Sequence, residues 1–386
     1  MWAGAFLSTV GTWTQDVALA WLIHSSFDNP FFLGLRSFAA EAPLLALMLV
    51  GGAMADRVDR RRILLASQSI QMTLAAVLLA LFLTGNLGLT AILAIAFLTG
   101  LTQSQSAPTY QAVLTSIVPP QQISRAVALN SLQFNLSRAI GPVIAGVLLA
   151  RGGTGACFAV NVASYVAVIF ALTRIQVPPP EPGASSVGLG TSLRAGLRHV
   201  GEHDVLWRLT LLAACSSFLA FPLTTYLPVF ADQVQGTGAT GYSMLLTAYG
   251  LGAIGGALST AQRGSVPGRG RYLLRAFALF GLSALGALFS PWSALSLAFM
   301  LAAGWSLVTA YSTLISLVQE NAQDALRGRI MSIFGLCFRS GMPLGSLAFG
   351  ALIVPLGVRA VIGTSLVGLV LLVAGLEARR GVVARL

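Results

Sequence analysis

Four charged residues lie inside long apolar stretches of the sequence: Asp16, Glu41, Arg138 and Arg339. A charge at the centre of a bilayer costs at least about 2.5–3.5 kcal/mol, so such residues usually face a water-filled cavity or an opposite charge. Because a carboxylate in apolar surroundings is neutralised more readily than one in water, Asp16 is the best candidate for a proton or cation site. Arg138 keeps its charge, so it can pair with Asp16 or Glu41 or bind an anionic solute. The alternative for each is a fixed ion pair that holds helices together.

Polar and aromatic side chains in the same stretches are candidates for lining a cavity. Trp13 and Gln15 stand beside Asp16 on the first stretch. The remaining candidates are Gln103, Gln105, Asn130, Gln133, Asn135, Phe221, Tyr242, Tyr249, Trp305 and Tyr311. The three amides on the stretch around Arg138 can equally form hydrogen bonds between helices. For each aromatic residue the alternative is an interfacial or lipid-facing position.

Apolar stretches of about 20 residues recur along the whole sequence. Of the 386 residues 56% are hydrophobic and 9% are charged, whereas soluble domains carry about 25% charged residues. Each stretch can cross roughly 30 Å of hydrocarbon as a helix, and the alternating segments of about 10 residues typical of a transmembrane β-barrel are not seen. The sequence therefore predicts an all-α polytopic membrane protein with twelve spans, near 2–23, 33–55, 62–84, 90–109, 124–150, 155–174, 208–231, 239–261, 272–290, 293–316, 328–354 and 357–376.

Arginines are distributed unevenly between the two sides of these spans. With both termini in the cytoplasm, 18 of the 23 arginines fall in cytoplasmic loops and the tail, and only Arg36, Arg151 and Arg359 fall outside. Cytoplasmic loops of membrane proteins carry such an excess of basic residues. The pattern predicts cytoplasmic termini, and it accounts for the net charge of +11 without a nucleic-acid partner.

A polar segment near the middle separates two groups of six spans. Its first part is rich in Pro, Gly and Ser, as linkers are, and from Ser192 its spacing of leucine and arginine predicts an amphipathic helix on the membrane surface. Pro222 and Pro228 interrupt the seventh span, where a kink could serve gating. We therefore expect an N-terminal bundle, a cytoplasmic linker, and a C-terminal bundle with a short tail, at 1–174, 175–207 and 208–386.

The two groups of six spans are repeats. A shift of 204 residues places VGGAM (50–54) on IGGAL (254–258). The same shift aligns Gly100 with Gly304, Thr109 with Thr313 and Arg125 with Arg329. One offset that holds across several spans indicates an internal duplication. Two parallel repeats of six spans are typical of one large class of transporters.

The loop between the second and third spans carries Gly52-x-x-x-Asp56-Arg57-x-x-Arg60-Arg61, which resembles the loop signature of the major facilitator superfamily. The resemblance implies the major facilitator fold, with two pseudo-symmetric six-helix bundles. It also implies that Asp56 faces the N-terminus of the eleventh span, where the helix dipole attracts a carboxylate. The motif would then be a cytoplasmic latch between the halves. A simple positive-inside signal explains the arginines but not the spacing of Gly52 and Asp56.

Longer segments resemble one branch of that superfamily. GTWTQDVALAWLI, SRAVALNSLQFNLSRAIGPVIAG and LRGRIMSIFGLCFRSGMPLGSLAFG, together with the loop motif, are similar to the enterobactin-exporter and macrolide-efflux branch. The resemblance implies a secondary active transporter of the bacterial cytoplasmic membrane that expels a siderophore, drug or other metabolite in exchange for protons. It implies an ion gradient in place of a cofactor, no metal, the lipid bilayer and a small-molecule substrate as partners, and a monomer.

The sequence departs from the patterns of proton antiporters at several positions. Gly141-Pro142 in the fifth span matches their glycine-proline motif, but of the following glycines only Gly146 is present, one place late. The arginine that many of them carry in the fourth span is absent from GLTQSQSAP, which offers two glutamines instead. In the loop motif, Asp59 stands in place of the usual glycine.

Other functions stay open on the sequence. A lysophospholipid flippase or a solute importer would have the same fold. His199-x-x-Glu202-His203 matches an inverted zinc-protease pattern, which would indicate a membrane-tethered enzyme, although the only other histidine, His24, is predicted across the membrane. A receptor that transports nothing would not need polar residues at matched depths in both halves.

Overall fold

The observed helices coincide with the predicted spans. The computed structural model describes residues 1–48, 59–175, 177, 198, 200–263, 268–323, 326–378, 381, 383 and 386. The first half contains α1 Trp2–Ser26, α2 Phe31–Met48, α3 Arg60–Leu83, α4 Leu89–Ser116, a 3₁₀ turn at Pro120–Gln122, and α5 Ile123–Thr173. The second half contains α6 Asp204–Ala220, α7 Pro222–Thr225, α8 Leu227–Val229, a π-helical turn at Phe230–Val234, α9 Gly238–Arg263, α10 Arg269–Phe289, α11 Ser293–Asn321, α12 Arg327–Leu356 and α13 Val358–Ala378.

Helix α5 is 51 residues long and contains two of the predicted spans. They meet at Gly153, whose φ of 68° and ψ of −172° lie outside the helical range. Glycine adopts a positive φ without steric cost, whereas other residues are strained there. The break separates a segment at 123–152 from a segment at 154–173, which correspond to the fifth and sixth of the twelve predicted spans.

The length and surface of the helices agree with a membrane location. Eight helices in the described residues are long and apolar enough to cross a membrane, and the merged segment Pro120–Thr173 counts as one of them. Large apolar side chains also lie on the outside of the molecule, such as Leu83 at 70% exposure and Leu371 at 66%. Exposed apolar surface of this extent is unfavourable in water and is stable against lipid.

The chain divides into two compact units, Met1–Asp28 with Leu35–Ser186 and Asn29–Gly34 with Val187–Leu386. In the first unit α1 packs along α5, and α3 packs on both α4 and α5. In the second unit α11 packs on α9 and α10, and α6 packs on α12. A hydrophobic cluster in the first unit joins α3, α4 and α5 through Leu64, Ala75, Val113, Tyr165, Val168 and Leu172.

The seventh predicted span is interrupted at its prolines. Helix α6 ends before Pro222, which begins α7, and Pro228 lies in α8 immediately before the π-helical turn. Proline lacks a backbone donor and clashes with the preceding turn, which favours a break at these positions, although Pro108 and Pro142 lie inside helices elsewhere in the chain. Between α7 and α8, Tyr226 is fully buried and its hydroxyl donates a hydrogen bond to the carbonyl oxygen of Ser346 on α12. The predicted break is confirmed, and packing inside the second unit holds it in place.

Glycines bring α9 and α11 into backbone contact. A Cβ at Gly256 would overlap the carbonyl oxygen of Trp305, and a Cβ at Gly304 would overlap that of Tyr249. Small residues allow membrane helices to approach this closely. Gly256 is the repeat partner of Gly52, so the second half has a close helix contact at the counterpart of the motif glycine.

We expect Gly256→Leu to destabilise the second unit, because the backbone carbonyl that the new side chain meets cannot move without separating α9 from α11. Overpacking of this kind costs about 1–3 kcal/mol, and the midpoint of thermal unfolding in detergent should fall accordingly. Gly368→Leu on α13 is the matched control, since a Cβ there meets nothing within 4 Å. Equal unfolding midpoints for the two variants would contradict the contact between α9 and α11.

Candidate substrate and proton site

An ion pair between α1 and α2 is the centre of the candidate site. Arg36 donates through Nη2 to Oδ1 of Asp16. The two side chains keep 22% and 37% of their surface exposed, so the pair is accessible although protein flanks it. Asp16 lies ten residues before the end of α1, and Arg36 lies five residues after the start of α2. The carboxylate singled out from the sequence is therefore paired with an opposite charge on the neighbouring helix.

Arg36 lies inside a helix. The structure places it in α2, within the predicted span 33–55, and its predicted location on the outer side stays a prediction. A guanidinium is tolerated there because Asp16 balances its charge. Sequence reasoning misses this residue because arginines near the end of a span ordinarily extend to the membrane interface.

A second guanidinium, that of Arg138 on α5, contacts α1 one helical turn from Asp16. The guanidinium carbon of Arg138 is 5.7 Å from the centroid of the Trp13 ring, which is a cation–π distance. Arg138 lies halfway along the 123–152 part of α5, in the middle of a span, and Glu41 is half-buried on α2. The pairing of Arg138 with Asp16 or Glu41 stays a prediction.

Gln15 is held by an amide on the second part of α5. Asn161 is fully buried, and its Nδ2 donates to Oε1 of Gln15 at 2.8 Å. The hydroxyl of Ser164 donates to the backbone carbonyl of Asn161 at 2.7 Å. Burying an amide in an apolar bundle is costly unless it is hydrogen-bonded, so the contact with Asn161 fixes the side chain of Gln15 next to Asp16.

Tyr165 extends this polar network to α3. Its hydroxyl donates to Oε1 of Gln71 at 3.4 Å, so Tyr165 links the second part of α5 to α3. Sequence reasoning misses Asn161, Tyr165 and Gln71 because uncharged polar residues are common in spans. The available signal is that Asn161 interrupts an otherwise apolar run.

The amides on α5 and α4 have different positions. Gln133 is 4% exposed and donates through Nε2 to the hydroxyl of Thr9 at 2.9 Å, so it joins α1 to α5, which is one of its two predicted roles. Asn135 donates to the carbonyl of Ser131 in its own helix at 2.8 Å. Three further amides are half-buried: Gln103 and Gln105 on α4, and Asn130 on α5.

Gly141 of the glycine-proline motif allows α1 and α5 to touch. A Cβ at Gly141 would overlap the Cβ of Trp13, and the Gly141 carbonyl accepts a hydrogen bond from the hydroxyl of Thr14 at 3.2 Å. Pro142 is buried next to it, and Gly146 is half-buried farther along the helix. The motif therefore sets the position of Trp13 against α5.

The motif in the loop between the second and third spans is described only in part. Gly52, Asp56 and Arg57 lie outside the described residues, so the latch stays a prediction. Arg60 and Arg61 form the first turn of α3, where both are half-buried.

Arg61 and Asp59 stabilise two helix ends. Arg61 donates through Nε to the carbonyl of Leu172 at 2.9 Å and through Nη2 to that of Thr173 at 2.6 Å. The last carbonyls of a helix lack partners within it, so Arg61 caps α5. Asp59 accepts the backbone N–H of Arg61 at 2.9 Å and caps the start of α3. The acidic residue in place of the motif glycine thus has a local structural role.

The candidates in the second unit are mostly core residues. Tyr242 and Tyr249 are 3% and 1% exposed, so both rings are buried in this structure, and their role in lining a cavity stays a prediction. Trp305 is half-buried against the glycines of α9, whereas Arg339 is exposed on α12. Tyr311 is surrounded by aromatic rings, those of Phe221, Phe277 and Phe338.

The histidine pattern before α6 does not form a metal site in the described residues. His199 lies outside them, and Glu202 pairs with Arg198 at 3.4 Å on the surface. Throughout the described part of the chain, no group of three or more His, Cys, Asp or Glu side chains is placed to hold a metal ion.

Comparison with known proteins identifies the family. The model of the transmembrane secretion effector family matches residues 1–381. The chain is 28% identical to the staphyloferrin A transporter of Staphylococcus aureus, over 89% of this chain and 86% of the relative. It is 26% identical to the enterobactin exporter EntS of Escherichia coli, over 97% of this chain and 91% of the relative.

Solved structures share the fold at lower sequence identity. A bacterial homologue of the lysosomal transporter Spinster, inward-facing and occupied, superposes with a TM-score of 0.76 at 16% identity, over 100% of this chain and 97% of the other. A bacterial homologue of the iron transporter ferroportin gives a TM-score of 0.74 at 14% identity, over 98% and 97%. The chain therefore belongs to the transmembrane secretion effector family of the major facilitator superfamily, with twelve spans in two six-helix bundles, and is a secondary transporter of a small organic solute and not an enzyme.

Proposed function

We propose that this protein exports a siderophore, or a metabolite of similar chemistry, from the bacterial cytoplasm in exchange for protons. In this proposal the protein is a monomer in the cytoplasmic membrane with both termini in the cytoplasm. Two relatives that align over most of both chains are a staphyloferrin A transporter and an enterobactin exporter. Their names support the substrate class, and the excess of arginine in the predicted cytoplasmic loops supports the orientation.

The ion pair of Asp16 and Arg36 carries the proposal of proton coupling. A carboxylate and a guanidinium between two membrane helices are stable as a neutral pair, and separation leaves each charge costly in apolar surroundings. Protonation of Asp16 removes its charge and releases the guanidinium of Arg36. The face formed by α1 and α2 then changes from neutral to positive, which is a large change in a medium of low dielectric constant.

Solute is exchanged for protons when the solute binds only one of the two forms, either the one with the Asp16–Arg36 pair intact or the one with Asp16 protonated. In the proposed cycle the solute binds on the cytoplasmic side while the Asp16–Arg36 pair is intact, and a proton from outside replaces it after release. Proton binding then returns the empty carrier, and loss of the proton to the cytoplasm restores the pair. A ligand drives such a cycle only through its different affinities for the two forms.

Transport into inside-out membrane vesicles tests the proposal. Vesicles from cells that produce the protein are acidified inside, and uptake of staphyloferrin A and enterobactin is measured against vesicles without it. We expect one of the two solutes to accumulate, and accumulation to stop when an ionophore collapses the pH difference.

The same vesicles distinguish the other functions of this fold. Uptake of solute only into right-side-out vesicles would indicate an importer. Movement of a fluorescent lysophospholipid between leaflets, with no uptake of either solute, would indicate a flippase. Either result would overturn the proposal of siderophore export.

A further inference from the structure

Phe134 is an exposed aromatic residue on a polar face of α5. It is 49% exposed. Its neighbours one helical turn away on that face are all polar: Asn130, Ser131, Ser137 and Arg138. A face that carries a charge in the middle of a span turns toward the interior of the protein or an aqueous cavity and not toward lipid tails. The open surface of Phe134 therefore lies on the side from which a solute reaches the candidate site.

Phe97 on α4 shows what a lipid-facing phenylalanine looks like in the same unit. Its exposure of 47% nearly equals that of Phe134. Its neighbours one helical turn away are all apolar: Leu93, Ala94, Gly100 and Leu101. Exposed apolar surface among apolar neighbours is what contact with lipid requires. The two rings are equally open, and the residues around them assign them to different surroundings.

Trp13 holds the ring of Phe134 in one orientation. The two ring centroids are 6.2 Å apart and the ring planes are inclined at 68°, which is the edge-to-face arrangement that aromatic pairs prefer. Trp13 is itself held between the guanidinium of Arg138, 5.7 Å from its centroid, and the backbone of α5 at Gly141. Asp16 follows Trp13 by one turn of α1. Phe134 therefore presents a fixed aromatic surface beside the candidate site.

An aromatic surface selects among the chemical groups by which siderophores bind iron. These groups are carboxylates, hydroxamates and catechols, and only a catechol contains an aromatic ring, which gains by stacking on phenylalanine. The relatives named for staphyloferrin A and enterobactin are 28% and 26% identical to this chain, so identity does not decide between their solutes.

The charge of the solute favours the same choice. A negative charge beside a carboxylate favours its protonation, so an anionic solute near Asp16 would work against the form that binds solute in the proposed cycle, in which the pair with Arg36 is intact. Phenolic hydroxyls ionise only at about pH 10, so a catechol without iron is neutral near pH 7. A neutral ring leaves the ion pair undisturbed.

We propose that Phe134 stacks against a catechol ring of the transported solute and thereby selects catechol siderophores over those without an aromatic ring. This inference rests on the proposed function and names the substrate class together with a residue that recognises it. Arg138, one turn along the same face, donates hydrogen bonds to the hydroxyl oxygens of the ring, which accept them while neutral. Phe134 is a binding residue in this proposal and takes no part in proton transfer.

Binding to purified protein tests this inference. The full chain in detergent near pH 7 is titrated calorimetrically with iron-free enterobactin, a catechol siderophore, and with iron-free staphyloferrin A, a hydroxycarboxylate without an aromatic ring. We expect the unchanged protein to bind enterobactin more tightly. Phe134→Leu keeps an apolar side chain and removes the ring, so enterobactin should bind about two- to tenfold more weakly, the contribution of an aromatic pair beyond its buried area. Phe134→Tyr keeps the ring and should retain the affinity.

Phe97→Leu is the matched control, because it removes an equally exposed ring from the lipid-facing surface, and its affinity should equal that of the unchanged protein. If Phe134→Leu binds enterobactin as tightly as this control, the inference is wrong while siderophore export can still stand. Equal or tighter binding of staphyloferrin A by the unchanged protein also overturns it, and this comparison decides the matter should Phe134→Leu not fold. If the unchanged protein neither binds nor exports either solute, the proposed function fails and the inference fails with it.

Discussion

Asp16→Asn abolishes the accumulation of solute driven by a pH difference, while exchange of bound solute continues. The substitution keeps the size of the side chain and an oxygen that Arg36 can reach, but it removes the negative charge and the site of protonation. Because the amide oxygen can still accept from Arg36, the variant keeps the contact of the intact pair, and we expect it to fold and to bind solute. It cannot pass between the paired and protonated forms, so a proton gradient no longer does work on the solute.

Two assays on the same preparation of Asp16→Asn separate these effects. Uptake into acidified inside-out vesicles should fall to the level of vesicles without the protein. Exchange of labelled for unlabelled solute at equal pH on both sides should persist. Asp28→Asn is the matched control, since Asp28 is exposed in the short connection between α1 and α2, and it should leave both activities unchanged. If Asp16→Asn still concentrates solute under a pH difference, Asp16 is not the proton carrier.

The fold could be predicted from the sequence because its determinants are local. An apolar run of about 20 residues predicts a span wherever it occurs, and Pro222 and Pro228 mark the place where the seventh span is interrupted. The division of α5 at Gly153 is visible as a gap between two predicted spans, although the positive φ of that glycine is not. The offset of 204 residues predicts two similar bundles before any contact is known.

The candidate site could be predicted only as a set of residues, and its pairs could not. Asp16 and Arg138 are conspicuous because a charge in a span is costly. Which charges meet depends on the rotation and relative height of neighbouring helices, and these are set by packing contacts such as that of Gly141 with Trp13. Sequence reasoning therefore pairs Arg138 with Asp16 or Glu41 and omits Arg36. The structure brings Arg36 to Asp16.

The same limit applies to the aromatic candidates. Tyr242 and Tyr249 have side chains that suit either a cavity or a core, and composition alone does not decide between them. The structure buries both, whereas Trp13 remains partly exposed beside Arg138. The decisive factor is which face of each helix turns toward its own bundle, and the short-range pattern in the sequence shows this only weakly.

Arg138 provides the second large effect, which we expect in both stability and transport. Its guanidinium lies on the Trp13 ring in the middle of a span, and a cation–π contact contributes about 0.5–2 kcal/mol. Arg138→Ala loses this contact and leaves a gap between α1 and α5. Arg138→Lys keeps the charge and part of the attraction to the ring, but it loses the flat surface that stacks and the fork that binds anions.

Comparison of the two Arg138 variants separates an effect on folding from an effect on transport. Arg138→Ala should lower the midpoint of thermal unfolding in detergent by more than Arg138→Lys. Both should export solute several-fold more slowly than the unchanged protein at matched expression, because neither presents a guanidinium to the solute or to an acidic partner. Arg151→Ala, an exposed position on the same helix, should change neither quantity. A normal export rate for Arg138→Lys would show that a positive charge alone suffices at this position and would remove the guanidinium of Arg138 from the transport mechanism.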